Sequence, residues 1–450
     1  MEKVKYSSAQ IMHFVIPSLL GALFFLLPIP QRDIFNTILG IVIDWGKATL
    51  KPYLPFMAMS FVVISAIATV WAAVMKPQSV VKNDFWNELL IVPPFWAASR
   101  VLGAILFVMI YYKIGPEIIW NMDNGGTPGM VLAPALLVIF IVLGGVVPLL
   151  TDYGLMEYVG TFARPLMRPL FKLPGRSAVD CLASWVGSSS VAVVITTKVH
   201  NQGYYSDREG AVIATAFSVI SIAYIYVMAD FVGLAHMYFQ VMLGIYTVTF
   251  ILALLMPRIW PLSAIPDTYS GKAGKQPIND NLPAGWTLRE WALKLAVERA
   301  AKQTTAMTLD SGIKTFISLI VSTMPLVISW GTIALIVANN TPVFQIISMP
   351  FAWALELMRI PEAQKAAPAF VLSFADQFLA GIVGSTLTTP AAKYMCAGIS
   401  GTGLIYMTEV GVLIMNSSIP LNFPKLAAIY LVRAILSVFL LAPFAWLFCM

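Results

Sequence analysis

The sequence predicts an all-α polytopic membrane protein built from inverted-topology repeats, each with an interfacial helix, a re-entrant helical hairpin and transmembrane helices. Three observations carry that prediction. Of 450 residues, 59% are hydrophobic and only 11% charged, with a mean hydropathy of +0.81; soluble domains carry roughly 25% charged residues. A polar stretch, 257–312, divides the chain in two. A Gly-hydroxyl phrase stands in each half, Val186-Gly187-Ser188-Ser189-Ser190 and Val383-Gly384-Ser385-Thr386. Gly costs roughly 1 kcal/mol against Ala in a helix, and Ser or Thr compete for its backbone partners. In lipid, a broken helix survives only where protein or a cavity covers the freed groups. Interruptions at matching places in two halves are the best sequence pointer to a transporter's binding site.

A span needs about 20 largely apolar residues. In chain order the uninterrupted candidates are 11–29, 55–75, 91–113, 129–150, 211–232, 236–256, 313–338, 395–416 and 425–449, with interrupted stretches at 177–200 and 366–392. The first candidate is long for a signal-peptide core and no small-residue cleavage site follows it, so a retained helix is expected. The net charge of +6 sits in loops beside spans, which is the positive-inside pattern and not a nucleic-acid face. Cys181, Cys396 and Cys449 are scattered, and His13, His200 and His236 lack ligand spacing, so no metal centre or cofactor is expected.

Charge sets the topology. Lys3 and Lys5 place the N-terminus in the cytoplasm, Lys76 and Lys82 fall inside, Glu117 and Asp123 outside, and Arg164, Arg168, Lys172 and Arg176 inside again. The basic 257–312 linker stays inside only if 177–200 enters and leaves on one side, as a hairpin turning at Gly187–Ser190. The second hairpin then enters from outside and turns at Gly384–Thr386. Before each hairpin lies an amphipathic segment, 151–176 and 340–363; in the first, Met156, Phe162, Leu166 and Phe171 alternate with Arg164, Arg168 and Lys172, as in a helix lying in an interface. Within the linker, Thr287-Leu288-Arg289-Glu290 fits a capping box opening a helix over 287–305.

Ionisable residues inside spans are expensive, and function is the default reading of them. Asp180 and Asp376 stand seven and eight residues before Gly187 and Gly384, about two helical turns from each expected tip. Buried there, they suit coupling to Na⁺ or H⁺; the alternative for Asp180 is a cap at the hairpin's start. Gln377 stands beside Asp376. Oxygen ligands are offered by Ser188, Ser189, Ser190, Ser385 and Thr386 at the tips, and by Thr388 and Thr389 on the returning arm; the alternative is that small residues merely permit close packing. Glu409 lies deep in its span and Asn416-Ser417-Ser418 near the end of it, with Asp230 at a comparable stage of the first half. Arg100 is mid-span, whereas Arg433 is near enough to the cytoplasmic face to snorkel.

Leu173-Pro174-Gly175-Arg176-Ser177-Ala178, running into Asp180 and Trp185-Val186-Gly187-Ser188-Ser189-Ser190, is similar to the YjiH family of bacterial inner-membrane proteins. The arrangement resembles the Gate, or nucleoside-recognition, domain shared by concentrative nucleoside transporters, the membrane part of ferrous-iron transporter B and spore-maturation proteins. The likeness is firmest over 130–256 and extends to 313–450. It implies N-terminal helices (1–128), a first Gate-like repeat (129–256), the cytoplasmic linker (257–312) and a second, inverted repeat (313–450). It also implies that hairpin tips and partly unwound neighbouring helices hold the substrate, with a cation beside the first hairpin. Where nucleoside transporters place amide and carboxylate residues at the first tip, this chain offers hydroxyls. It also lacks the iron transporter's cysteines and GTPase domain.

The expectation is a secondary active transporter of a small polar solute, coupled to Na⁺ or H⁺, multi-pass in a bacterial inner membrane, as a homo-oligomer or paired with a second Gate-like subunit. The expected solute contacts are Gly187–Ser190, Gln377, Gly384, Ser385, Thr386, Glu409 and Asn416; the ion-coupling set is Asp180, Asp376, Glu409, Thr388 and Thr389. The alternatives are a non-transporting assembly or signalling subunit, a nucleoside transporter proper, and an intramembrane hydrolase. Gly187-x-Ser189 is not a complete G-x-S-x-G, and no H-E-x-x-H or P-loop occurs, so no enzyme is expected.

Overall fold

The computed structural model describes residues 6–31, 34–175, 177–178, 181, 189–217, 220–269, 274–275, 285–415 and 417–450. These are almost all helical. In chain order the elements used below are α1 (Ser8–Leu26), β1 (Pro28–Gln31), β2 (Ile34–Thr37), α2 (Leu54–Met75), α3 (Pro94–Tyr112), α4 (Ala133–Thr151), α5 (Leu155–Leu166), α6 (Ser189–Asn201), α7 (Asp207–Ala216), α8 (Ile222–Phe231), α9 (Tyr238–Leu255), α10 (Leu288–Ala300), α11 (Met324–Asn340), α12 (Met349–Leu357), α13 (Ala363–Ala375), α14 (Gln377–Thr386), α15 (Pro390–Thr402), α16 (Val412–Met415) and α17 (Phe423–Cys449).

Among the described residues, seven helical stretches are long and apolar enough to cross a membrane: Ser8–Phe25, Leu54–Met75, Pro94–Tyr112, Met122–Thr151, Ala235–Ala264, Thr305–Val337 and Phe423–Cys449. The protein is an all-α, multi-pass membrane protein. Seven of the nine expected uninterrupted spans are among these stretches; 211–232 and 395–416 are not, because each is broken. The first stops at Ala216 and restarts at Ile222, where Ser221 caps the new helix by accepting the Tyr224 N–H at 3.2 Å. The second stops at Thr402 and resumes as a π-helical turn at Met407–Gly411. Leu404, within that gap, holds a left-handed φ of 58°, a conformation costing a non-glycine residue roughly 1–2 kcal/mol.

The chain forms two compact units, 28–146 with 309–349, and 1–27 with 147–308 and 350–450. In the first, β1 and β2 pair antiparallel with Pro28 opposite Thr37, and α2, α3 and α11 pack together. Arg100 of α3 is buried there and donates through Nη1 to the Thr69 hydroxyl (3.1 Å) and the Leu89 carbonyl (2.8 Å), both neutral oxygens.

The second unit contains both broken helices and the linker helix. Thr287 caps α10 through the expected box, with Thr287 N–H donating to Glu290 Oε2 at 2.9 Å and Glu290 N–H to Thr287 Oγ1 at 3.3 Å. The helix ends at Ala300, short of 305. It is no mere connector: Ala296, Val297 and Ala300 form a buried cluster with Phe14 of α1 and Tyr153. Gly154 makes that approach possible, since its φ is +92° and a Cβ would lie 2.4 Å from the Ala296 carbonyl oxygen.

Candidate functional site

The stretch expected to form the second hairpin reverses twice, once at Asp376 and once just after Thr386. Helices α13 and α14 run in succession through 363–386, and were they collinear their outer ends would stand about 35 Å apart. Instead Glu362, which precedes α13, accepts at Oε2 from the N–H groups of Thr388 and Thr389 and the hydroxyl of Thr389, each at 2.9 Å. Only a reversal between the helices brings those ends together, and it lies at Asp376, whose extended backbone (φ −152°, ψ 135°) ends α13 while its carboxylate caps α14 by accepting the Phe378 N–H at 2.7 Å. Asp376 and Gln377 therefore occupy the turn, and Gly384, Ser385 and Thr386 lie at the base. The phrase Val383–Thr386 ends α14, with Ser385 and Thr386 returning their hydroxyls to Ile382 and Val383 carbonyls at 2.8 Å. The chain reverses again directly after it, since Ser400 near the end of α15 bonds Gln377 at the start of α14.

Gly384 serves close packing, for a Cβ there would meet Val232 Cγ1 and Cys396 Cβ at 2.9 Å. The Glu362 carboxylate sits at the N-terminus of α15, where helix N–H groups favour an anion. The amide of Thr389, then the Thr388 amide and the hydroxyls, hold its carboxyl far below the ordinary 4.5, at about 2.

The turn meets both broken helices. Ser400 of α15 donates to the Gln377 carbonyl oxygen at 2.9 Å, and its Oγ lies 3.2 Å from the Tyr224 hydroxyl of α8. The Tyr224 and Phe231 rings meet Phe378 edge-on, at 5.2 and 6.1 Å. Gln377 Oε1 is buried without a hydrogen-bond partner. The arrangement brings a carboxylate, a free amide oxygen and two hydroxyls together where two half-helices pass a hairpin turn. That is chemistry suited to a solute's N–H and O–H groups or to a cation.

At the second break, Arg433 of α17 is fully buried, and the expectation that it snorkels is wrong. Its Nε donates to the carbonyl oxygen of Thr402, the last residue of α15. Thr402 Oγ1 in turn donates to Ser437 at 3.0 Å, and Tyr430, on the same face of α17, donates to the Phe370 carbonyl of the hairpin at 2.7 Å.

Of the residues expected to form the first hairpin, Asp180, Gly187 and Ser188 lie outside the described residues, as does Asn416. The side chains of Ser189, Ser190 and Glu409 also lie outside the description, although Ser189 falls in α6 and Glu409 in the π-helical turn. At the other end of α6, a cavity of about 490 Å³ is lined by Thr197, Lys198, Asn201 and Gln202, with Leu413 of α16 and Ser417 opposite. Beside it His200, fully buried, lies 2.8 Å from Ser418 Oγ through Nδ1 and 2.8 Å from Asp207 Oδ1 through Nε2. Asp207 also accepts from Thr268. His200 thus ties the base of α6 to the start of α7 and to the segment after α16.

Tyr224, Ser400, Glu362, His200 and Arg433 were not among the expected site residues. A signal existed for the second break: Ser400-Gly401-Thr402-Gly403 is a Gly-hydroxyl phrase in an apolar stretch, the same pattern as Val186–Ser190 and Val383–Thr386.

Residues 133–235 match the Gate family, described as nucleoside recognition. The chain is 42% identical over 425 residues to an uncharacterized protein of Alkalihalophilus pseudofirmus, covering 94% of this chain and 92% of that protein. It is also similar, at 14% identity over 98% of each chain and a TM-score of 0.43, to the solved structure of CNTnw in an inward-facing substrate-bound state. With its seven span-length helices, its Gate domain and that near full-length relative, the chain belongs to a Gate-domain family of multi-pass membrane proteins.

Proposed function

We propose that the protein is a secondary active transporter of a small polar solute, coupled to Na⁺ or H⁺, whose solute and ion are held by the hairpins and broken helices of the larger unit. The observation that carries the reading is the acid–amide pair Asp376-Gln377 at a helix reversal, in contact with Ser400 of one broken helix and close to Tyr224 of the other. The Gate match supports a membrane transporter, and broken helices facing a hairpin are where secondary transporters bind. Transport, not catalysis, is the activity proposed.

In this reading Asp376 takes the coupling ion, while Gln377 Oε1 and Glu409 hold the solute. Thr388 and Thr389 act on the ion through Glu362, and Ser385, Thr386 and Gly384 shape the base of the hairpin. Asp180 and Gly187–Ser190 hold the matching place in the inverted first repeat, with Asn416 at the solute's cytoplasmic exit. The cavity beside Lys198 is the route to the cytoplasm. The repeats are 129–256 and 313–450, joined by the cytoplasmic linker 257–312 after the N-terminal helices 1–128. The protein works in a bacterial inner membrane with its N-terminus inside, as a homo-oligomer or beside a second Gate-like subunit.

Proteoliposomes test this. Uptake of one solute that depends on a Na⁺ or H⁺ gradient, lost in Asp376→Asn and reduced in Gln377→Ala, is the expected result. No accumulation across amino acids, peptides, nucleosides and organic cations would overturn it in favour of a non-transporting assembly subunit.

A further inference from the structure

A helix that stops inside a membrane leaves carbonyl oxygens and the negative end of its dipole without partners, roughly half an elementary charge. In transporters with broken helices a cation from solution often answers that charge. Here the C-terminus of α15 is answered by the chain itself. The Arg433 guanidinium, fully buried on α17, donates through Nε to the Thr402 carbonyl oxygen at the last residue before the break. It forms no salt bridge with any described carboxylate, and its Nη1 and Nη2 are buried without hydrogen-bond partners. With no acid among the described residues to neutralise it, the buried C-terminal end of α15 is the counter-charge that faces it. Tyr430, Arg433 and Ser437 fall at i, i+3 and i+7 on one buried face of α17, so the helix carries the cation as part of a polar stripe aimed at the hairpin and the break.

We infer that Arg433 is a tethered cation occupying the ion position of the second broken helix, so that this break takes no ion from solution and any coupling ion binds elsewhere. The inference deepens the transporter reading, and rests on it only for the consequence that coupling falls to the first hairpin or the Asp376 turn. Removing the guanidinium should leave a vacant cation site lined by the Thr402 carbonyl and the hydroxyls of Thr402 and Ser437.

The test uses the purified full chain and needs no transport assay, so its failure is separable from failure of the uptake experiment. Thermal midpoints of wild type, Arg433→Ala, Arg433→Lys and Arg433→Met are compared in choline, sodium and methylguanidinium chloride at equal ionic strength. Arg433→Ala should fall by at least about 3 °C in choline. Sodium or methylguanidinium should recover most of that loss, beyond any change in wild type, and Arg433→Lys should stay close to wild type. The inference is overturned if Arg433→Ala responds to no cation, or if lysine is as damaging as methionine. Should Arg433→Ala fail to fold in choline, its yield when extracted in methylguanidinium reads the same quantity. No gain in that yield, with lysine and methionine equal, is again refutation.

Discussion

Replacing Glu362 tests the hairpin geometry most directly. One carboxylate oxygen accepts three hydrogen bonds, two from backbone amides and one from a hydroxyl, across 26 and 27 residues of chain. Hydrogen bonds to a charged group contribute about 1.5–3 kcal/mol each when buried. The side chain keeps 14% of its exposure, so water replaces part of what is lost, and about 3 kcal/mol is the expected cost of Glu362→Ala. Glu362→Gln keeps an acceptor but no charge and should cost about half as much. The pH dependence has a definite sign. The folded carboxyl titrates near 2 against an ordinary 4.5, so its stabilisation is complete above 4.5 and disappears as pH falls from there towards 2. The assay is thermal unfolding of the purified protein against pH, with Glu362→Gln, Thr389→Val and the double variant. Wild type should lose stability through the acid window, Glu362→Gln should show a flatter profile, and the cycle should reveal a coupling of about 1 kcal/mol. Strictly additive single effects, with an acid profile unchanged in Glu362→Gln, would refute the clamp and with it the reversal at Asp376.

Three further outcomes follow from the packing. Gly154→Ala forces a left-handed backbone on alanine and drives Cβ to 2.4 Å from the Ala296 carbonyl oxygen; a loss of about 2–4 kcal/mol is expected, and an unchanged midpoint would show that α10 does not dock there. Cysteines at Ala375 and Ser385 should differ in labelling by membrane-impermeant thiol reagents, since they sit at opposite ends of a helix about 15 Å long; equal labelling from one side alone would contradict the hairpin. His200→Ala removes a partner from Ser418 and from Asp207 together and should cost about 1–3 kcal/mol, with faster amide exchange confined to 197–207 and 417–421. Uniform or absent change in exchange would mean that His200 ties nothing.

Much of the architecture is readable in the residues because bilayers impose few solutions: apolar runs long enough to span must be helices. Seven of nine uninterrupted candidates are continuous span-length helices, and the Thr287 capping box opens a helix as its spacing requires. Helix continuity is less legible. In 211–232 and 395–416 hydropathy does not fall at the break, because the breaking residues are small or mildly polar and Leu404 is itself apolar. A Gly-hydroxyl phrase signals weak helix, but it cannot say whether the chain reverses, breaks or merely ends there. Val383–Thr386 ends a helix just before one reversal, while the other falls at an Asp that caps its successor.

By itself, then, the sequence determined the membrane class, the helical composition and the polar residues worth watching, all of which follow from the cost of polar groups in hydrocarbon. Only the tertiary structure decided what those residues face. It placed Asp376 at a turn, committed Thr388 and Thr389 to Glu362, and buried Arg433 against the end of a half-helix. The physical reason is common to all three: a buried polar group is defined by its partner, and here the partners lie 2 to 31 residues away in a chain that must fold back on itself to bring them together.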